Sequence, residues 1–225
     1  MEIIKNIIQS ILTAFYQPFW AALMVAFAFM YMYLFSFHAG EGNKGWIDSV
    51  KIWGKYFKRS PHFRSIFYLA FYIMLVLFKT ILNRTTWIYP LTNFFGGWWI
   101  WEIDSNGQRI LSSACIENLM LLIPFSFIYL KAKSKEKNPK FLWTIKDSVI
   151  PSFILSFFIE MTQLVFRIGN FQFSDLCYNT LGGLIGGLIY YAIYRISYNN
   201  IICQIKRDKT FHLRNSKKLL MVFGN

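Results

Sequence analysis

From Phe19 to Phe37 the chain reads FWAALMVAFAFMYMYLFSF without a single charge, and Ile66–Phe78 forms a second uncharged run. A bilayer core of about 30 Å asks for about 20 apolar residues per helix. A small soluble core has no use for runs of this length. The rest of the composition agrees: 55% of the 225 residues are apolar and only 16% charged, where a soluble domain carries about 25% charge. Lipid offers no partners for backbone N–H and C=O groups, so a spanning segment has to satisfy them internally, as a helix does. The expected fold is therefore an all-α, polytopic membrane helix bundle with about five spans. These are Phe19–Phe37, Ser65–Leu82, Ile110–Leu130, Ser148–Phe166 and Leu176–Tyr194.

The formal charge of +13 is distributed in a way that reports topology. Six Lys and Arg fall between the first two spans, six lysines lie in Lys131–Lys146, and seven basic residues follow Tyr194. The other side holds Lys5, Arg84, Arg109 and Arg167, and Lys79 lies within a span. By the positive-inside rule the N-terminus is outside and the C-terminus cytoplasmic. The basic loops then face anionic headgroups. No nucleic-acid reading motif accompanies the charge, so nucleic acid is not an expected partner. Glu2 stands where a signal peptide would be basic, and no small-residue cleavage site follows Phe37, so no cleavable signal is read. Cys115, Cys177 and Cys203 have no metal-ligand spacing and read as free thiols, with a Cys115–Cys177 disulfide as the alternative.

Residues 2–17 place Ile3, Ile4, Ile7, Ile8, Ile11, Leu12 and Phe15 on one helical face. This suits an N-terminal interfacial helix, or the outer end of one long tilted helix. Thr85–Trp101 is uncharged, carries seven aromatics, and is interrupted by Pro90 and Gly96-Gly97. It reads as an interfacial or re-entrant outer loop, serving either as a plain aromatic belt or as a surface for a lipid tail or sugar ring. No internal repeat is visible. The expected organisation is an N-terminal helix, span and basic loop (1–64), a membrane domain (65–195) and a basic tail (196–225).

Several polar side chains interrupt the apolar spans. At about 1.5 Å per residue, Lys79, Glu117, Asn118, Glu160, Gln163 and Asn179 all lie about 18–22 Å above the cytoplasmic boundary. Glu160 and Gln163 are three apart and share a face. Ionisable groups at that depth are costly unless paired, and Lys79 with Glu117 or Glu160 is the expected pairing. One reading is an outward-facing polar pocket rimmed by Arg84, Arg167 and Asp175; the other is an ion-pair and amide network that only locks the bundle. Gly182, Gly183, Gly186 and Gly187 form two overlapping small-xxx-small pairs, expected to pack on the fourth span. Pro124 is expected to kink the third span, while Pro151 is placed harmlessly near the start of the fourth.

Most catalytic constellations are missing. His38, His62 and His212 all fall on the cytoplasmic side, away from the polar layer, which rules out a Ser-His-Asp or Cys-His arrangement there. No metal motif is present, and neither metal nor cofactor is expected. Glu160 and Glu117 remain as a candidate carboxylate acid/base pair.

The segments ENLMLLIPFSF (Glu117–Phe127), IEMTQLVFR (Ile159–Arg167) and SDLCYNTLGGLIGG (Ser174–Gly187) resemble the VanZ-like family of bacterial membrane proteins. The resemblance covers roughly 78–194, with Ser126 departing from the family's usual Gly, and it makes the first span an addition to a four-span core. It implies residence in the bacterial cell membrane and a link to resistance against teicoplanin-type lipoglycopeptides. The family-like positions are Asn118, Glu160, Gln163, Arg167, Asp175 and Asn179.

Three functions compete. The first is a non-enzymatic binder of an envelope amphiphile (a membrane lipid or lipid-linked envelope molecule), with a homo-oligomer compatible. The second is an intramembrane enzyme acting on a lipid or glycan headgroup, with Glu160 as acid or base. The third is a small transporter or flippase, which needs the polar layer to open to both faces in turn.

Overall fold

Ser60 and Pro61 begin the central helix. Pro61 occupies the first turn, where its missing N–H is no loss, and the Ser60 side chain accepts from the Phe63 amide at 3.2 Å. In the computed structural model this helix runs Pro61–Thr80 and is the third in a series. The structure describes residues 16–37, 46–81, 88–99, 101–103, 109–111, 113–133 and 140–222 as continuous stretches, with side chains as far as 199, plus isolated positions elsewhere.

In chain order the elements are α1 (Phe19–Phe37), α2 (Trp46–Arg59), α3 (Pro61–Thr80), β1 (Trp101–Ile103), β2 (Arg109–Leu111), α4 (Ala114–Leu121), α5 (Ile123–Lys133), α6 (Phe141–Phe166) and α7 (Phe173–Val222). Among the described residues, four helical stretches are long and apolar enough to cross a membrane: Pro61–Thr80, Ala114–Lys133, Phe141–Phe166 and Phe173–Asn199. The α1 helix is shorter, but it lies antiparallel along α3. Phe19 meets Phe71 near one end and Tyr33 meets Phe63 near the other, with Ala22 in one buried cluster with Leu75 and Val76 and Leu34 in another with Phe63 and Phe67. It thus packs along α3 as a fifth, shorter apolar helix among the described residues.

What faces outward confirms the solvent. On α6, Ile150, Phe153, Ile154, Phe157 and Phe158 are exposed, while Thr144, Ser148, Ser152, Ser156 and Glu160 are buried. This is the inside-out pattern of a helix in lipid, where small residues draw backbones together. The buried hydroxyls bond within their own helix: Thr144 Oγ1 donates to the Lys140 carbonyl at 3.0 Å, and Ser152 Oγ to the Ser148 carbonyl at 2.7 Å. The glycine ridge of α7 uses both its sides. Gly183 and Gly187 lie on Ser152 and Ser148, on the fourth span as expected. Gly182 and Gly186 lie on the carbonyls of Leu119 and Ile123, so the third span is gripped as well.

Several sequence expectations are corrected. The third span starts at Ala114, not Ile110, because Arg109–Leu111 pairs with Trp101–Ile103 in an antiparallel hairpin. A break at Leu122, two residues before Pro124, splits this span into α4 and α5, the interruption expected of a proline that cannot donate. The fourth span starts at Phe141, seven residues earlier than read, which puts Pro151 inside the helix and Lys146 on it. The supposed basic loop after the first span contains α2, an amphipathic helix whose Trp53 and Phe57 stack at 5.0 Å and close on Phe67. Arg64 fixes the α2–α3 corner by donating to the Phe57 and Lys58 carbonyls. The tail after Tyr194 continues α7 as helix. Residues 2–17 lie mostly outside the described residues; Lys5, Ile8, Gln9, Leu12, Thr13 and Tyr16 are described and are helical and exposed.

Candidate functional site at the α6–α7 turn

The site is built where α6 ends. Arg167 adopts a left-handed conformation (φ 54°, ψ 35°) and its amide turns back to the Gln163 and Leu164 carbonyls. Ile168 N–H also donates to the Gln163 carbonyl at 3.0 Å, which reverses the chain within a few residues. Gly169 is pressed against Gln163: a Cβ there would come within 3.1 Å of Gln163 Oε1. The chain then enters α7 past Glu160, whose Oε2 accepts from the Gln172 amide at 2.9 Å. A carboxylate at the start of a helix is favoured by the helix dipole. Glu160 is only 2% exposed, and it sits under the first turn of α7.

Two further bonds hold the buried layer together. Gln163 Nε2 donates to the Thr80 carbonyl at 2.8 Å, tying α6 to the end of α3. Asn179 Nδ2 donates to Ser156 Oγ at 3.0 Å, tying α7 to α6 one turn below Glu160. The next residue back on α3, Lys79, pairs with Glu117 at 3.2 Å, and Glu117 Oε1 accepts from Ser113 at 2.7 Å. Of the two expected pairings for Lys79, the structure forms the one with Glu117. Two oxygens here break the pattern, as does Trp53 Nε1 on α2. Asn170 Oδ1 and Asn179 Oδ1 are buried without a hydrogen-bond partner among the described residues. Buried polar groups are almost always satisfied, so each of these oxygens can accept from a donor.

The aromatic loop covers this turn. Its backbone carbonyls at Pro90, Phe94 and Phe95 accept from Phe171, Phe173 and Ser174 amides at 3.0, 2.8 and 3.2 Å. The Tyr178 hydroxyl donates to the Trp98 carbonyl at 2.8 Å, and Phe94 stacks on Phe171. Gly96 has φ 71° and abuts the Ser174 side chain, which leaves room only for glycine. Tyr89, Phe95 and Trp99 point away from the protein. The loop is non-helical, as expected, and it docks on the turn by backbone bonds.

Of the residues expected at the site, Lys79 and Glu117 form one cluster, and Glu160, Gln163 and Asn179 form the buried layer beside it; adjacent Lys79 and Thr80 join the two. Asn118 is half-buried with no side-chain hydrogen bond among the described residues. Asp175 is half-buried and accepts from Ser174 Oγ at 3.3 Å. Arg167 is exposed at the turn. Arg84 lies outside the described residues. Ser113, Ser156, Asn170 and Gln172 belong to the site and were not anticipated. The four-residue spacing of Thr144, Ser148, Ser152, Ser156 and Glu160 marks the buried α6 face and points to Ser156. Cys115 and Cys177 are free thiols, so the alternative of a disulfide between them is not realised.

A family model described as VanZ/LLP1 matches residues 19–195, a stretch that takes in the first span. No curated protein and no solved structure matches the chain.

Proposed function

The chain is a multi-pass membrane protein of the VanZ/LLP1 family, and on that premise we propose that it binds an envelope amphiphile at the α6–α7 turn and so contributes to lipoglycopeptide resistance of the teicoplanin type. The observation that carries this reading is the pair of buried amide oxygens without a partner among the described residues, Asn170 Oδ1 at the turn that the aromatic loop covers and Asn179 Oδ1 on α7, one turn below Glu160. Two amide oxygens and a carboxylate suit a donor-rich headgroup, such as sugar hydroxyls or an ammonium. The exposed rings of Tyr89, Phe95 and Trp99 suit the apolar part of the same molecule. The positive-inside rule puts the lysine-rich end in the cytoplasm and this turn at the outer leaflet.

The test is a deletion strain complemented with wild type, Glu160→Gln or Arg167→Ala, scored for teicoplanin susceptibility alongside binding of the drug to purified protein. Expression is matched by quantifying the protein in membranes. Loss of both readouts in Glu160→Gln supports the proposal, and unchanged binding and susceptibility in both variants would refute it. A product formed from envelope lipids by purified wild type and absent with Glu160→Gln would make the site enzymatic instead.

A further inference from the structure

A second site lies on the lipid-facing side of α5 and α6, pointing away from Glu160. Tyr129, Lys133, Asp147, Ile150, Pro151, Ile154, Leu155 and Phe158 line a groove of about 530 Å3. We propose that this groove seats one anionic phospholipid of the surrounding leaflet, with an acyl chain along α6 and the phosphate at Lys133.

Its shape and depth argue for a chain. Ile150, Ile154, Leu155 and Phe158 form a continuous apolar wall from Asp147 to Phe158, about 16 Å along the helix. A groove of this kind within a spanning helix is filled by whatever surrounds the protein, and that is lipid. Pro151 lies in its floor and cannot donate to the Asp147 carbonyl, which leaves that backbone acceptor free of its usual helical partner beside the polar end.

The charge at the mouth argues for an anion. Lys133 Nζ lies 2.7 Å from Asp147 Oδ1, which takes one of its three donors. Lys131, Lys140 and Lys146 are exposed at the same end of the bundle, so cations outnumber the single carboxylate. Trp143, also exposed, lies under Lys146 at 5.4 Å, with the ring and amine that anchor a helix at headgroup depth. Tyr129 adds a phenol to the mouth of the groove.

The experiment uses full-length protein in nanodiscs of equal dioleoyl phosphatidylglycerol and dioleoyl phosphatidylcholine, with retained lipid counted by native mass spectrometry. One lysine near an anionic surface gives a preference of about fivefold, so wild type should retain phosphatidylglycerol over phosphatidylcholine by about that ratio. Lys133→Gln should hold a lipid with the ratio falling toward one. Ile154→Trp fills the apolar wall and should lose the retained lipid of either kind. Both positions are exposed on the lipid-facing or headgroup surface, so neither variant reaches the core, and the Asp147 carboxylate that Lys133→Gln releases only adds to the loss of anion preference. Equal retention by wild type, an undiminished preference in Lys133→Gln, or undiminished retention in Ile154→Trp would each overturn the proposal.

Discussion

The α7 glycines offer the sharpest test of how the bundle is held together. A methyl group added at Gly182 would run into the backbone carbonyl of Leu119 on α4. A carbonyl cannot rotate aside as a side chain can, so α4 and α7 must separate. Overpacking of this kind costs about 1–3 kcal/mol. The upper half of that range applies here, because the same move loosens Gly186 from the Ile123 carbonyl. At Gly183 the obstacle is Ser152, whose hydroxyl is tied to the Ser148 carbonyl at 2.7 Å. Gly183→Ala should therefore be rescued in part by Ser152→Gly, whereas Gly182→Ala has no such partner. Gly54 is the control, since a Cβ there meets nothing. Gly54→Ala should gain about 0.5–1 kcal/mol from helix propensity alone. The assay is reversible unfolding in mixed micelles by titration with sodium dodecyl sulfate, followed by helical circular dichroism. If Gly182→Ala unfolds at the same point as wild type while Gly54→Ala shifts as expected, close packing of α4 on α7 is not what holds them.

The Lys79–Glu117 pair predicts non-additivity. Each side chain keeps 18% exposure, so Lys79→Met or Glu117→Leu alone should cost of the order of 2 kcal/mol, below the roughly 3–5 kcal/mol of a fully buried pair. The double variant should cost less than either single one, and equal or additive costs would contradict the pairing. Orientation is open to direct labelling: with Trp99→Cys and Leu142→Cys in a cysteine-free background, a membrane-impermeant maleimide on intact cells should reach only position 99. Labelling of 142 instead would invert the topology. Cys115 and Cys177 should each take up maleimide after denaturation without reductant, and protection of both would reinstate the disulfide.

Much of the bundle is legible in the residues themselves because lipid imposes a simple rule on length and polarity. Phe19–Phe37 and the Phe166 terminus of the fourth span are found where the apolar runs place them. What charge alone suggests is less dependable. Lys51, Lys55, Lys58 and Arg59 read as loop, yet Trp53 and Phe57 among them have the spacing of a helix that buries one side. Lys146 and Asp147 likewise read as loop before the fourth span. They lie in the first turns of α6, where Lys146 sits over Trp143 and Asp147 pairs across to Lys133 on α5. At the site, the polar side chains stood out by their cost in an apolar setting. Their partners did not, since Glu160 is met by the Gln172 amide and Gln163 by the Thr80 carbonyl. Backbone groups are identical in every residue and leave no mark in a sequence. The left-handed Arg167 that creates the turn is equally silent, for nothing in its side chain asks for that conformation.

The aromatic loop and the first turn of α7 share their hydrogen bonds, and this has an energetic consequence for anything that enters between them. Three backbone bonds and the Tyr178 phenol bond hold the loop down. At about 1 kcal/mol each, these bonds alone would put a state with the loop lifted about 4 kcal/mol higher, a population of at most roughly one molecule in a thousand. A guest admitted only to that minority binds with an apparent affinity weaker by the same factor. Weak binding in dilute solution would then coexist with full occupancy in a membrane, where an amphiphile is concentrated at the loop itself.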